Sequence, residues 1–130
     1  KFLNDTTLAL KLSDIQAVHI RAEDFSANNR EKADVVIARA VARLNTLSEL
    51  CLPLVKIGGT FIAYKSMKAD EEVMEAKNAI EILGGKVNNL QNVMLKEIDS
   101  IRVNVMIKKI NPTPKMYPRG KNLPKLKPLC

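Results

Sequence analysis

Three side chains carry the chemistry that this chain offers. Arg39 closes the apolar run Ala33-Asp34-Val35-Val36-Ile37-Ala38 and has alanine on both sides. Glu23 follows the run Ala17-Val18-His19-Ile20, and Lys65 follows Thr60-Phe61-Ile62-Ala63-Tyr64. A guanidinium at the exit of a buried strand must be paired or must face an acceptor. Its planar fork suits a carboxylate, a phosphate or the oxygen of a base. The flanking alanines leave room for a ligand to approach. The alternative for Arg39 is a structural ion pair with Glu23 or Asp24.

The elements that position these groups follow from periodicity. The opening Lys1 to Ser13 reads as the end of a helix, with Leu3, Leu8 and Leu12 as inward positions. Residues 17–20 and 34–38 read as strands, joined by a polar connection that holds a short helical turn. Thr46-Leu47-Ser48-Glu49 has the form of a capping box. Leu44, Leu47, Cys51, Leu54 and Val55 then share one helical face, Pro53 shortens that helix, and Gly58-Gly59 stops it. Residues 60–64 form the next strand.

A second helix begins at Asp70, with Glu71 and Glu72 at its positive end. It buries Val73, Ala76, Ile80 and Leu83 and ends at Gly84-Gly85. Two strands follow, residues 86–98 and 101–110. The second alternates through Val103, Val105 and Ile107, and their short connection predicts an antiparallel pair. The stretch from Asn111 holds five of the six prolines and no acid, and is expected to be extended rather than packed. Domains are therefore drawn as 1–110, an α/β unit, and 111–130, a basic Pro-rich tail.

Strand-helix repetition ending in a strand pair means an α/β sheet. Ligands of such sheets gather outside the carboxyl ends of the parallel strands. Glu23, Arg39 and Lys65 stand at three successive exits and are expected to share one rim.

Charge points to the partner. The formal net charge is +7, and residues 1–95 are neutral, with 12 Lys/Arg against 12 Asp/Glu. Residues 96–130 carry 9 Lys/Arg and 2 Asp/Glu, which is the whole excess. A neutral body with a basic end fits a polyanion touched at one place. Arg102, Lys108, Lys109, Lys115, Arg119, Lys121, Lys125 and Lys127 can contact phosphates.

Other chemistries find no support. There is no G-x-G-x-x-G and no P-loop. His19 is the single histidine and lies within an expected strand, so a His-based triad lacks its base. Cys51 and Cys130 have no metal or disulfide spacing, and a reducing cytoplasm fits. The five methionines are scattered. No apolar run approaches a membrane span of roughly 20 residues.

The strings RAEDF, ARAVARLNTLSELCLPLVKIGG, FIAYKS, EILGG and YPRGKNLPKLKPL, in this order, closely resemble one family. It is the bacterial glucose-inhibited division protein B family, the 16S ribosomal RNA guanine-N7 methyltransferases. The resemblance covers nearly all of the chain. It implies a class I methyltransferase (Rossmann-like) fold, S-adenosyl-L-methionine (SAM) as donor, and 16S rRNA of the small ribosomal subunit as partner. Lys1-Phe2-Leu3 matches a string that follows the family's glycine-rich SAM loop. The chain is therefore expected to be the C-terminal part of such an enzyme, inactive alone.

The resemblance also implies roles. Ala22 and Glu23 match a pair that lines the SAM site, and Arg39 matches an arginine of cofactor binding. Lys65 matches a lysine of the rim or of rRNA contact, although the family often has Lys-Gly where this chain has Lys65-Ser66. Tyr117, Pro118 and Arg119 match the family's ending. RNA contact is expected from Lys65, Arg102, Lys115, Tyr117, Arg119 and Lys121. Guanine N7 has a lone pair and no proton, so no general base is required. Arg39 is then expected to face the SAM carboxylate or guanine O6.

Two other readings stand beside this one. The chain is an RNA-binding α/β module without catalysis, or a nucleotide-dependent oxidoreductase that leaves the basic tail unexplained. The family's sheet also places its first strand between the strands matching 17–20 and 34–38. Without it, either the chain pairs with another copy or residues 17–20 rearrange.

Overall fold

A computed structural model describes every residue of the chain except 40–41, 67 and 96–99. The elements are α1 (Phe2–Ala9), α2 (Ala22–Ser26), β1 (Ala33–Ala38), α3 (Leu44–Cys51), β2 (Val55–Lys65), α4 (Ala69–Ile82), β3 (Gly85–Leu95), β4 (Ser100–Lys109) and α5 (Leu123–Leu126). A single 3-10 turn, Leu52–Leu54, joins α3 to β2.

The sheet has four strands in the order β1-β2-β4-β3. β1 and β2 are parallel, with α3 as their crossover, while β4 runs antiparallel to both β2 and β3. Register explains the core. Phe61 lies opposite Ile107, Ala63 opposite Val105 and Lys65 opposite Val103. All six are buried on one face. α3 and α4 cover that face with Leu44, Leu47, Ala76 and Ile80, and Leu52 and Leu83 complete the cluster. The other face carries exposed Val35, Ile37 and Tyr64. Fourteen residues of regular amphipathic pattern make α4 the longest helix, with Asp70, Glu71 and Glu72 in its first turn.

Several expectations are corrected. Residues 17–20 form no strand. A strand persists only with a ladder partner, and the outer edge of β1 meets none among the described residues. Val18 and Ile20 remain exposed, and His19 is exposed beside them. α1 forms, but Leu3, Leu8 and Leu12 are exposed, because nothing packs against the helix. Thr46 and Glu49 do not form a capping box. α3 begins at Leu44, and both side chains bond to the C-terminal segment instead.

Gly58-Gly59 lies inside β2 rather than ending a helix, since Pro53 has already turned the chain into the 3-10 segment. Asp70 stands inside the first turn of α4 rather than capping it, for Lys68 is the residue before the helix.

The C-terminal segment is packed, not extended. Thr113, Tyr117 and Pro124 are buried. Arg30 donates to the carbonyls of Thr113, Pro114 and Tyr117, and Glu31 accepts from the Thr113 amide. Asn45 Nδ2 holds the Leu129 carbonyl and Asn78 Nδ2 that of Cys130. Five prolines did not prevent this, because the segment's partners are side chains and need few of its amides.

Candidate functional site

A cleft of about 460 Å³ opens at the carboxyl ends of β1 and β2. Arg39, one residue past β1, lines one wall together with Ala42 and Arg43. Tyr64, Lys65 and Ser66, at the end of β2, form the floor. Glu72 of α4 and Arg102 of β4 complete the lining. Arg102 reaches the site because antiparallel pairing sets Val103 opposite Lys65.

The electrostatics divide these cations into two pairs. Arg43 forms a two-pronged ion pair with Glu75, Nε meeting both carboxylate oxygens at 3.1 Å. The hydrogen bond from Arg43 holds the Glu75 carboxyl below the ordinary range, and the same contact raises Arg43. Lys65 is nearly buried and donates from Nζ to the Ala42 carbonyl at 2.6 Å, with Glu72 Oε1 at 3.1 Å. Arg39 and Arg102 are exposed and have no ion pair among the described residues. They are the donors left for a ligand, and a guanidinium fork is suited to a carboxylate or phosphate.

The structure brings Arg39, Lys65 and Arg102 together. It does not bring Ala22 and Glu23 to this cleft. They begin α2, and Glu23 accepts from Arg21 Nη2 at 3.3 Å. The shared rim fails for Glu23 because residues 17–20, which were to deliver it, are not a strand.

Lys115 and Lys121 are exposed. Tyr117 is buried in the core cluster, and Arg119 is bound to Glu49. Lys109, among the cations expected to reach phosphates, is wholly buried and donates to the carbonyls of Leu52 and Val55. Burial lowers its affinity for a proton, and Glu31 at 3.4 Å partly offsets this. Cys51 is an inert thiol, pushed up to about 12 by burial.

Sequence reasoning missed Tyr64, Ser66, Arg43 and Glu72. Tyr64 and Ser66 flank Lys65 and were available from the same strand exit. Arg43 and Glu72 meet this wall only through the packing of α3 on α4, which leaves no local signal.

No described helix is long and apolar enough to cross a membrane. Solved structures with similar chain paths include a complex with AdoMet and an rRNA methylase. The M. jannaschii TYW2 structure in complex with AdoMet superposes with a TM-score of 0.63 at 16% identity, over 84% of this chain and 52% of that one. An rRNA methylase from Streptococcus thermophilus gives 0.58 at 17% identity, over 83% of this chain and 65% of that one. These likenesses concern the fold: the chain shares the α/β chain path of both structures.

In sequence, a protein named ribosomal RNA small subunit methyltransferase G from Lactobacillus johnsonii is 47% identical over 99% of this chain and 55% of its own length. Its counterpart from Limosilactobacillus reuteri is 50% identical over 98% of this chain and 54% of its own. The chain thus spans about half the length of the curated relatives it matches. The profile of the rRNA small subunit methyltransferase G family matches residues 1–101. With that match and this identity along its whole length, the chain belongs to the rRNA small subunit methyltransferase G family.

Proposed function

We propose that these residues form part of a SAM-dependent methyltransferase that acts in the cytoplasm on N7 of a guanine in 16S rRNA. The observation that carries this reading is the place of the cleft. It lies at the carboxyl ends of parallel strands, where α/β sheets take their ligands, and the two of its cations that have no ion pair among the described residues are arginines. Its volume is within the range of small-molecule sites.

The residues present fit SAM at one end. Arg39 offers its fork to a carboxylate, and Tyr64 offers a half-exposed ring. When bound, SAM supplies an electrophilic methyl on a sulfonium, which a guanine N7 lone pair accepts without prior loss of a proton. The chain's task is therefore to hold and orient. Arg39 faces an acceptor, the SAM carboxylate or guanine O6, since a guanidinium repels a sulfonium. Ala22 and Glu23 contribute the adenosine side of the cofactor site once residues 15–21 are held beside β1.

Lys115 and Lys121 contact rRNA phosphates, and Arg102 does so at the mouth of the cleft. Phosphate contacts make binding depend on salt and carry little sequence information. The open edge of β1 offers unpaired backbone groups to a second copy of the chain, which sedimentation at rising concentration tests.

Isothermal titration of SAM tests the reading, with and without Arg39→Ala. Uptake by the wild-type chain that is lost in the variant supports it. Salt-sensitive RNA binding with no SAM uptake supports instead an RNA-binding module without catalysis, which the exposed tail lysines favour.

A further inference from the structure

We infer that Lys65 and Glu72 act as one positioning device for the wall of the cleft, a role that rests on the reading of this cleft as the cofactor site. Their ion pair grips both ends of one short segment. Lys65 Nζ donates to the carbonyl of Ala42 at 2.6 Å, and Glu72 Oε1 accepts from the amide of Leu44 at 2.9 Å. The two side chains meet at 3.1 Å and are 7% and 15% exposed. One largely covered pair thus fastens residues 42–44 to the end of β2 and to the first turn of α4.

The amide is not an arbitrary one. Leu44 is the first residue of α3, and the residue before it, Arg43, supplies no side-chain cap. Helix N-termini leave such amides without an internal partner. Glu72 fills the place of the cap from a different helix, and its charge suits the positive end of α3. One turn further along α4, Glu75 holds Arg43. Glu72 and Glu75 therefore fix the start of α3, which follows Arg39 by a few residues. Residues 42–44, close after Arg39 in sequence, are thus anchored.

Lys65 lies in the lining, yet its ammonium is turned to Ala42 and Glu72. A displacement of about 1 Å at a reacting group costs as much as 100-fold in rate.

The test uses the 130-residue chain and two double variants. In Lys65→Met with Glu72→Met both charges leave together and volume is kept, so the fold survives. In Lys65→Met with Glu72→Gln the acceptor for the Leu44 amide returns. Two quantities are read in each: exchange of the Leu44 amide by NMR, and affinity for SAM by isothermal titration. The double-Met variant is expected to exchange Leu44 about tenfold faster and to bind SAM about tenfold more weakly. The Gln variant should recover most of the protection and part of the affinity.

A folded double-Met variant with wild-type exchange and wild-type affinity overturns the proposal. So does fast exchange with unchanged affinity, since the clip then does not serve the cleft. Fast exchange in a chain that takes up no SAM even as wild type supports the clip and marks the cleft as one part of a cofactor site.

Discussion

Arg119 grips both carboxylate oxygens of Glu49, Nε to Oε1 and Nη2 to Oε2, each at 2.9 Å. Glu49 is fully buried in α3, and the Arg119 amide donates to the same carboxylate at 2.9 Å. The contact raises Arg119 above its ordinary range. This pair ties the basic C-terminal segment to the core of the α/β unit.

Arg119→Met leaves the buried carboxylate without its counter-ion. It is expected to lower unfolding stability by about 3 kcal/mol, read from the midpoint in urea. Lys121→Met, at an exposed position nearby, is expected to change stability by less than about 0.5 kcal/mol.

Much of the fold was legible wherever pattern is local. The alternation of Val103, Val105 and Ile107 foretold β4, and the stripe Ala76, Ile80, Leu83 foretold α4. What was not legible depends on distant partners. Glu49 has the spacing of a capping box, yet its partner is 70 positions away. Thr46 Oγ1 likewise donates to the Pro124 carbonyl, 78 positions away. The run at 17–20 has the composition of a strand, but composition does not supply a neighbour. In the cleft, Arg39 and Lys65 were legible as strand exits. The pairings that occupy Lys65 and Arg43 were not, because they arise where α3 meets α4.

Gly84 and Gly58 separate backbone strain from crowding. Both have φ of 91°, which disfavours any side chain. A Cβ on Gly84 would also fall 2.1 Å from the Asn111 carbonyl oxygen, whereas one on Gly58 meets nothing within 4 Å. Gly58→Ala should cost about 1 kcal/mol. Gly84→Ala should cost clearly more and loosen the start of the C-terminal segment. Urea unfolding of the two variants checks the order.

Acid should release the Arg43–Glu75 pair. The hydrogen bond from Arg43 holds the Glu75 carboxyl of the folded chain below its ordinary value of 4.5. The unfolded chain therefore takes up that proton first as pH falls. The stabilisation is present above pH 4.5 and is lost as pH falls through the lower, folded value. Thermal midpoints should accordingly decline below pH 4.5 more steeply in the wild type than in Glu75→Gln.

Arg39 is exposed and has no ion pair among the described residues. Arg39→Ala is expected to leave the thermal midpoint unchanged while removing cofactor uptake. A loss of stability instead would make Arg39 a structural residue.

The central claim is that this cleft serves methyl transfer to rRNA. The most direct measurement joins residues 1–130 to the N-terminal part of the Limosilactobacillus reuteri relative, in place of the matching segment. Methyl transfer from labelled SAM to guanine N7 of 16S rRNA is then followed, with and without Arg39→Ala. The account predicts transfer by the joined protein and a loss of about 100-fold in the variant. A folded joined protein that transfers no methyl group, or a variant that transfers it undiminished, would contradict it.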